Sequence, residues 1–350
     1  TGNMTEEEKY IARCLQIASY GDGYVAPNPL VGAVLVNEEK IIGEGFHQYF
    51  GQAHAERNAI HSVKDPAQLK NATLYVNLEP CSHYGHTPPC ANFIVDCKIP
   101  KVVIGTYDPN PDIYGQGVEI LQKAGIELKI GVLEKECKEL NKRFFTFHEK
   151  KRPFVTLKWA QTIDGFMDKN RTNVQQAPLL ISNNFTRVLA HKMRSENQAI
   201  LVGTNTVLLD NPSLTVRYWS GKTPVRIVLD RLGKIPENYH LLNNSTPTII
   251  FTEKPYQEKL NVKYIPIDFD KNILSTVLQK IYDLNIHSIL VEGGAQLLTN
   301  FIISNLWDEA YVEVAPFEIS EGVTAPIIPL MPFARKNFYG HEWYHYKNKK

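Results

Sequence analysis

The sequence predicts an α/β protein built as two domains, and three observations lead to this fold class. The chain has 350 residues, and at roughly 100–200 residues per domain two domains are the natural count. Short apolar runs typical of buried strands alternate with helical patterns in both halves. Hydrophobic residues make up 43% of the chain and charged residues 21%, enough apolar material for two cores.

The first half is expected to begin with a helix, because Ile11, Cys14, Leu15 and Ala18 recur at helical spacing. The run LVGAVLV then predicts a buried strand, and a polar NEEK turn leads into a second one. The predicted elements are a helix at 5–20, strands at 30–36 and 40–47, a helix at 53–63, a strand at 72–81, a helix at 89–99, a strand at 101–108 and a helix at 118–126. This order predicts an α/β sandwich around a mixed sheet.

Residues 141–153, NKRFFTFHEKKRP, interrupt this pattern with charge and a proline, so we place the domain boundary there, with domains at 1–147 and 148–350. The second half starts again with a strand and predicts a second α/β unit. Its predicted elements are strands at 153–162, 198–203, 224–230, 247–252, 262–267, 288–294 and 309–316, and helices at 183–194, 271–284 and 295–305. The terminal YKNKK is expected to be a frayed tail.

The composition argues against several classes of partner. With 38 basic and 37 acidic side chains the net charge is +1, which does not favour a nucleic-acid partner. No apolar stretch reaches the roughly 18 residues of a membrane span, so we expect no membrane partner. The N-terminus lacks a basic region followed by an apolar run, and five cysteines do not suggest a disulfide framework. We therefore expect a cytoplasmic protein.

The loop EPCSHYGHTPPC and the segment HAE upstream of it predict a zinc site. His54, Cys81 and Cys90 provide three ligands, which is the number for a catalytic zinc that keeps one position for water. Glu56, two residues after His54, does not share its helix face and can act as the general acid and base beside that water. Zinc lowers the pKa of its water to about 7, which makes hydroxide accessible at neutral pH.

Each of these side chains alone has an ordinary structural interpretation, since a single histidine or cysteine is most often a core residue. The combination of His-x-Glu with Pro-Cys is typical of zinc deaminases, in which the cysteines belong to Pro-Cys-x-x-Cys. Here eight residues separate Cys81 from Cys90, which changes the loop beside the pocket. His83 and His86 lie inside this loop; either could replace a cysteine as ligand, but we expect them to face substrate.

The second half lacks the Gly-x-Gly-x-x-Gly fingerprint of a dinucleotide fold. The segment ILVEGGAQLLTNFI combines a strand, two glycines and a helix start, which suits a phosphate but also a simple tight turn. The segment ILVGTNTVLLDNPSLTVR ends at Arg217, a guanidinium suited to a phosphate, whereas its Asp-Asn-Pro is equally typical of a turn.

The segments NPLVGAVLV, HAERNAI, LEPCSHYGHTPPC and DPNP resemble the deaminase half of the RibD family of bifunctional riboflavin biosynthesis proteins. The resemblance implies a cytidine-deaminase-like α/β/α sandwich in which His54, Cys81 and Cys90 bind Zn²⁺ and Glu56 transfers the proton. It also implies that the deaminase substrate is bound by Asn28, His47, Asp108 and Asn110, with His83 and His86 beside them. His86 stands where the family often has lysine or arginine, so its pairing with a substrate phosphate would depend on pH.

The second half resembles the reductase half of the same family, whose fold is like dihydrofolate reductase. The resemblance implies NADPH contacts at Ala160, Thr206, Asp210, Gly294, Ala295, Gln296, Leu297, Leu298, Thr299 and Asn300. It implies contacts with the reductase substrate at Arg194, Leu214, Arg217 and Glu292. The sequence differs from the family pattern at Pro178–Ser182 and in APFEISEG at 315–322, where one glycine is lost.

The function that follows is a bifunctional enzyme acting on small phosphorylated pyrimidines. It would deaminate 2,5-diamino-6-(5-phosphoribosylamino)pyrimidin-4(3H)-one and then use NADPH to reduce the ribosyl group of 5-amino-6-(5-phosphoribosylamino)uracil to ribityl. One alternative is a zinc deaminase of other bases, nucleosides or tRNA adenosine with a degenerate or unrelated second domain. Another is a zinc-stabilised binding module without catalysis. Exposed strand edges in the second half favour a homodimer or a higher homo-oligomer.

Overall fold

The structure is a computed structural model that describes residues 2–85 and 87–349. These residues form two compact units that divide between Lys151 and Arg152. The division lies a few residues after the boundary predicted at 147, which falls inside a helix. None of the helices in the described ranges is both long and apolar enough to cross a membrane.

The first unit is a five-stranded mixed sheet between helices. Its strands are β1 (Gly32–Asn37), β2 (Lys40–Phe46), β3 (Thr73–Val76), β4 (Lys101–Ile104) and β5 (Glu127–Ile130), in the order β2-β1-β3-β4-β5. Its helices are α1 (Glu6–Ala18), α2 (Ala55–His61), α3 (Cys90–Asp96), α4 (Gln116–Lys123), α5 (Glu134–Leu140) and α6 (Lys142–Lys150). β1 is antiparallel to β2 and β3, whereas β3, β4 and β5 are parallel. The predicted sandwich is therefore confirmed.

The apolar run of β1 is buried because helices cover both faces of the sheet. Val34 packs with Cys14 of α1 on one face, and Leu35 packs with Ala59 of α2 on the other. α1 begins at a capping box in which Thr5 accepts a hydrogen bond from the backbone of the third helical residue. This packing fixes the start of α2, and with it the first residues of the predicted zinc site.

The segment 141–153, in which the sequence pattern placed the domain boundary, contains the division between the two units near its end, but most of it is a helix that the sequence reasoning did not identify. α6 occupies Lys142–Lys150 and buries Phe145 and Phe147, while Lys151 ends it in a left-handed conformation. The charged residues that suggested a linker lie on the outer face of an amphipathic helix. The sequence reasoning also did not identify β5 and α5. The residues of β5 alternate between exposed and partly buried, and α5 buries Cys137.

The second unit is built on a nine-stranded sheet. Its strands are β6 (Phe154–Thr162), β8 (Ala199–Gly203), β9 (Val225–Leu229), β10 (Thr248–Thr252), β11 (Val262–Pro266), β12 (Ser288–Gly293), β13 (Glu309–Ala315), β15 (Ala334–Phe338) and β16 (His341–Lys347), with β7 (Phe166–Asp168) and β14 (Val323–Thr324) forming a separate pair. The sheet order is β11-β10-β9-β8-β12-β6-β13-β16-β15. Its helices are α7 (Asn184–Ser195), α8 (Thr204–Asp210), α9 (Ile273–Asp283) and α10 (Ala295–Ile303).

The strands from β11 to β13 are parallel, so their carboxyl ends meet at one edge of the sheet. In such sheets ligands bind at that edge. β16 and β15 extend the sheet in antiparallel orientation. The prediction that YKNKK is a frayed tail is wrong for its first residues, because β16 continues to Lys347 and pairs with β13 from Glu309 onward. The aromatic residues of HEWYHYK, which are enriched in strands, are the signal for this strand.

Candidate active sites

The three predicted zinc ligands come together at the ends of three elements. His54 is the N-cap of α2, Cys81 follows β3, and Cys90 is the first residue of α3. Their ligand atoms lie within 4.8 Å of one another, and His54 Nδ1 is 3.5 Å from each sulfur atom. A tetrahedral ion with Zn–S of about 2.3 Å and Zn–N of about 2.0–2.1 Å holds nitrogen and sulfur about 3.6 Å apart. The arrangement therefore fits zinc.

Backbone hydrogen bonds hold the cysteine loop in this geometry. The backbone N–H of Cys90 donates to Cys81 Sγ at 3.1 Å, and that of Ala91 donates to the Cys81 carbonyl at 3.1 Å. These donors belong to the start of α3, where free N–H groups favour negative charge. The pKa of the Cys81 thiol is lowered because Cys90 donates hydrogen bonds to it and His54 lies beside it. Cys81 therefore favours the thiolate form that a metal requires, whereas the hydrogen bond to Cys81 and burial raise the pKa of the Cys90 thiol.

The loop is also fastened from α2 by Arg57. Its guanidinium donates to the Pro88 carbonyl at 2.6 Å and lies 4.3 Å from the centre of the Phe93 ring. A guanidinium stacked on an aromatic face while donating in its own plane is held in one orientation. This contact fixes the Pro-Pro segment just before Cys90.

Glu56 lies on the first turn of α2 and is 3% exposed. Burial, together with the charge of Cys81, raises the pKa of its carboxyl to about 7. A carboxyl group with that pKa exists in both forms at neutral pH, as an acid and base in a proton transfer must. The side chain lines a cavity together with His54 and Cys81.

This cavity has a volume of about 250 Å³ and brings together most of the predicted deaminase residues. Those lining it are Asn28, His47, His54, Glu56, Cys81, His83, Asp108 and Asn110. The predicted contact at His86 lies outside the described residues. Among the described residues that line the cavity, none is lysine or arginine.

His47 orients the amide of Asn28. The Nδ1 atom of His47 lies 3.1 Å from the Ala53 carbonyl, an acceptor only, so this nitrogen carries the proton. His47 Nε2 is then an acceptor, and Asn28 Nδ2 donates to it at 3.1 Å. Burial lowers the pKa of His47, which favours this neutral form. The amide of Asn28 is thereby fixed, with its oxygen as the remaining acceptor.

Asp108 and Asn110 are positioned by Glu79, a buried residue that the sequence reasoning did not select. Glu79 accepts backbone hydrogen bonds from Asp108 and Gly115 at 3.1 Å and from Val118 at 3.0 Å. Asp108 in turn accepts from the Asn110 backbone at 2.9 Å. Burial raises the pKa of Asp108 to about 6. Glu79, the glutamate of LEPC, therefore fixes the loop that carries Asp108 and Asn110, the two predicted substrate contacts.

Two further groups were not predicted. Phe144 and His148, one turn apart on α6, line the cavity and pack ring to ring at 4.6 Å. Asn141 donates to the Leu30 carbonyl at 2.8 Å and accepts from its N–H at 2.7 Å, so it holds the segment after Asn28. The i, i+4 spacing of the two aromatic rings was a signal in the sequence. The charged residues around Phe144 and His148 made the segment look like a boundary and not like a helix that lines a cavity.

In the second unit, the predicted cofactor segment lies at the carboxyl ends of β8 and β12. A Cβ atom on Gly293 would lie 3.0 Å from Thr206 Oγ1, and one on Gly203 would lie 3.9 Å from Leu297. Gly294 has φ +64 and is the N-cap of α10, so a side chain there would be strained. The glycines thus bring backbone, Thr206 and a helix start together, which suits a phosphate.

The other predicted cofactor residues differ in their surroundings. Ala160 lies near the carboxyl end of β6. Leu297 and Leu298 are 8% and 0% exposed and belong to the core, whereas Ala295, Gln296, Thr299 and Asn300 are at least partly exposed. The Asp210 carboxylate forms an ion pair with Arg171, which also pairs with Asp168 at 2.7 Å.

The predicted substrate residues of this unit form a connected group. Arg194 pairs with Glu292 at 2.8 Å and donates to the Thr215 carbonyl at 3.1 Å. Burial alone would raise the pKa of Glu292, but Arg194 lowers it. Leu214 is 4% exposed, and Arg217 donates to Thr215 Oγ1 at 2.9 Å with its side chain at the surface. Arg194 is therefore occupied by protein groups, while Arg217 reaches solvent.

Both segments that depart from the family pattern are anchored. Ser182 Oγ donates to the fully buried Glu313 at 2.7 Å. In the loop 315–322, Asp164 accepts from the backbone of Ser320 at 2.8 Å, and a Cβ on Gly322 would lie 2.2 Å from the Asp168 carbonyl. The remaining glycine is thus one that close packing requires.

Comparisons with known proteins agree with both halves of this description. Residues 4–106 match the cytidine and deoxycytidylate deaminase zinc-binding region, and residues 153–339 match the RibD C-terminal domain. The chain is 42% identical over 323 residues to the riboflavin biosynthesis protein RibD of Aquifex aeolicus (strain VF5), covering 91% of this chain and 89% of that one. It is 40% identical over 329 residues to RibD of Bacillus amyloliquefaciens, covering 91% and 87%.

Solved structures give the same result. The crystal structure of a diaminohydroxyphosphoribosylaminopyrimidine deaminase/5-amino-6-(5-phosphoribosylamino)uracil reductase from Thermotoga maritima superposes with a TM-score of 0.87 at 36% identity, covering 98% of this chain and 99% of that one. A structure of Acinetobacter baumannii RibD superposes with a TM-score of 0.88 at 30% identity, with coverage of 98% and 99%. The fold predicted for both halves is confirmed.

Proposed function

The chain belongs to the RibD family of riboflavin biosynthesis proteins, and from this membership we propose which residues perform each of its two reactions. It is a bifunctional deaminase and reductase with a zinc-binding deaminase region. The first unit deaminates 2,5-diamino-6-(5-phosphoribosylamino)pyrimidin-4(3H)-one. The second reduces the ribosyl group of 5-amino-6-(5-phosphoribosylamino)uracil to ribityl with NADPH.

In the deaminase, His54, Cys81 and Cys90 would hold the metal, which when bound would lower the pKa of a water molecule to about 7 and so supply hydroxide at neutral pH. Glu56 takes the proton that the attacking water loses and gives it to the amino group of the pyrimidine. The water oxygen bonds to the ring carbon that carried this group, the C–N bond breaks, and the amino group leaves as ammonia. The pKa of about 7 for this carboxyl suits both transfers.

The pyrimidine and its ribosyl phosphate are bound by polar groups around the cavity. Asn28, oriented by His47, offers an amide to the edge of the pyrimidine. Asp108 and Asn110 offer oxygen and nitrogen atoms to the sugar. Since no described lining residue is lysine or arginine, we assign the phosphate to the histidines of the cysteine loop, His83 and His86.

In the reductase, NADPH supplies the hydride and the protein places the two carbon atoms. The helix start at Gly294, with Thr206 beside it, binds a cofactor phosphate. Arg217, the arginine that reaches solvent, binds the substrate phosphate, and Arg194 with Glu292 forms the adjoining wall. This assignment gives the phosphate to one of the two arginines that the family resemblance implied as substrate contacts.

One observation carries the deaminase assignment. His54 Nδ1 lies 3.5 Å from the sulfur atoms of Cys81 and Cys90, and the buried carboxyl of Glu56 lines the cavity beside them. The test is Glu56→Gln, which keeps the shape and removes the base. We expect zinc content to stay unchanged while ammonia release falls by about 10²–10⁴-fold. NADPH consumption on adding the deaminated substrate should be unaffected.

The matched control is Glu119→Gln, an exposed glutamate of α4 paired with Lys123, which should change neither reaction. A Glu56→Gln protein that binds zinc and releases ammonia at the wild-type rate would contradict the role proposed for Glu56. Wild-type protein that binds zinc but releases no ammonia from the diaminopyrimidine would contradict the deaminase assignment and support a binding module. Wild-type protein that consumes no NADPH with the deaminated substrate would contradict the reductase assignment and support a degenerate second unit.

We also propose a homo-oligomeric, cytoplasmic enzyme. The mostly exposed edge strand β15 supports self-association, since an unpaired edge can take up a second copy. The unpaired state of all five cysteines supports a reducing compartment. Light scattering coupled to size-exclusion chromatography tests the first proposal, and a monomer at micromolar concentration would contradict it.

A further inference from the structure

A buried histidine on α7 has no role in the reactions described above. His191 is 4% exposed, and its Nδ1 atom accepts the backbone N–H groups of Arg217 at 3.0 Å and Tyr218 at 3.4 Å. An imidazole nitrogen that accepts must carry its lone pair, so the ring is neutral with its proton on Nε2. Burial, and then the charges of Arg194 and Arg217, lower its pKa to about 4. The ring therefore stays neutral near pH 7.

The two N–H groups belong to consecutive residues and converge on one acceptor, and converging backbone N–H groups can bind an anion. Here the lone pair of His191 takes the place of such an anion. The Tyr218 ring packs edge-on against the imidazole with ring centres 4.7 Å apart, which closes the contact. Removing the nitrogen would leave two converging backbone donors without this acceptor.

The segment that His191 grips is irregular and is held at several points. Arg226 donates to the Ser213 carbonyl at 3.2 Å, Arg194 donates to the Thr215 carbonyl at 3.1 Å, and Val216 donates to Thr223 at 3.2 Å. These contacts fix the segment up to residue 216. His191 is the side chain that fixes the two amides after it.

His191 and Arg194 are three residues apart, so they lie on the same face of α7. That face orients both arginines of the predicted substrate site. It contributes Arg194 directly, and it holds the backbone of Arg217 through the imidazole. With its backbone held, the Arg217 side chain is oriented by the hydrogen bond that its guanidinium donates to Thr215 Oγ1 at 2.9 Å.

We propose that His191 is a positioning residue of the reductase, which holds the backbone of Arg217 and Tyr218 so that the Arg217 guanidinium meets the substrate phosphate. The proposal rests on the role proposed above for Arg217. It makes a specific demand of position 191: an acceptor atom where Nδ1 lies, and not merely a ring that fills the space.

The test compares two variants. His191→Phe keeps a ring against Tyr218 but has no acceptor, and His191→Asn has an oxygen where Nδ1 was. We expect the Phe variant to raise the KM for the phosphorylated uracil by about tenfold, as two lost hydrogen bonds imply, with kcat and the KM for NADPH little changed. The Asn variant should stay within about threefold of wild type. Normal ammonia release reports that the first unit is folded, and an unchanged KM for NADPH reports that the second unit is folded.

Hydrogen exchange gives a second measurement that does not depend on activity. The amides of Arg217 and Tyr218 should exchange faster in the Phe variant and near the wild-type rate in the Asn variant. If His191→Phe does not fold, His191→Leu makes the same comparison. Unchanged KM and unchanged exchange in the variant without an acceptor would overturn the proposal, and so would an equal KM increase in both variants.

A third variant separates this proposal from the function on which it rests. Arg217→Met should raise the KM for the phosphorylated uracil at least as much as His191→Phe. A normal KM for Arg217→Met would refute the role of Arg217 and overturn the proposal in its present form, whatever the exchange rates. If the wild-type protein consumes no NADPH with the deaminated substrate, the proposed reductase function itself is contradicted.

Discussion

Gly117 offers a way to disturb the zinc site without touching a ligand. It lies in α4, and a Cβ atom placed on it would be 2.0 Å from the Pro80 carbonyl oxygen and 3.2 Å from Glu79 Cγ. Gly117→Ala therefore forces the Pro80 carbonyl to move by about 1 Å, since non-bonded carbon and oxygen atoms do not approach within about 3 Å. Pro80 immediately precedes the ligand Cys81.

The size of the effect follows from how little a metal site tolerates. Ligand distances at a functional site stay within about 0.2 Å of ideal, so a movement of about 1 Å one residue away cannot be fully absorbed. Changes just outside the ligands commonly weaken metal binding by 10–100-fold, and overpacking adds about 1–3 kcal/mol of lost stability. We expect Gly117→Ala to bind zinc 10–100-fold more weakly and to lose ammonia release in proportion.

The assay is competition with a coloured zinc chelator, read beside ammonia release and NADPH consumption. Gly85→Ala is the matched control, because Gly85 lies in the cysteine loop itself and a Cβ there would have no atom within 4 Å. It should bind zinc like wild type. NADPH consumption should be normal in both variants. A folded Gly117→Ala protein with zinc affinity within threefold of wild type would refute the reasoning.

Two further predictions concern buried charge. Burial raises the pKa of Asp108 from 3.8 to about 6, so its contribution to stability is present below about pH 4 and lost as the pH rises through 6. Roughly two pKa units correspond to about 3 kcal/mol, and partial exposure reduces this to about 2 kcal/mol. In urea unfolding without zinc, Asp108→Asn should be more stable than wild type by this amount at pH 8 and by little at pH 4. Equal stabilities of the two proteins at pH 8 would contradict the prediction. Arg194→Met leaves the buried Glu292 without its partner and should lower the free energy of unfolding by about 3 kcal/mol, measured by thermal unfolding. Adding Glu292→Gln to the same chain should restore part of this loss. No recovery would mean that the unpaired charge of Glu292 is not the cause.

The zinc ligands could be predicted because their chemistry is local in sequence. His54 and Cys90 each mark the start of a helix, and Cys81 follows a strand, so three short patterns bring the ligands to one edge of a sheet. Glu79 could not be selected in the same way. Its task is to accept backbone N–H groups from residues 29 to 39 positions later in the chain, and no periodicity reveals such a partner.

The helix α6 and the strand β16 were missed for a different reason. In α6 the charged residues outnumber the apolar ones, and Phe145 and Phe147 are buried only because the rest of the unit is present. In β16 the neighbouring lysines suggested a free end, although pairing with β13 holds the strand. In both cases tertiary packing overrides a local composition that suggests disorder.

The second unit shows what residue type alone leaves open. Arg194, Arg217 and Glu292 were all assigned to substrate, yet two of them bind each other at 2.8 Å. A sequence does not reveal which of two arginines has a carboxylate beside it. His191 was overlooked because a histidine inside a helix is usually a packing residue, and only the converging N–H groups of the facing segment distinguish it.

The cavity wall contributed by α6 has a practical consequence for anyone dividing this chain. The stretch that matches other zinc deaminases ends at residue 106, whereas Phe144 and His148 still line the cavity. A shortened chain stopping near 106 would keep every metal ligand and yet leave the substrate chamber open on one side. A free-standing deaminase made from this gene should therefore extend to about residue 151, where the first compact unit ends.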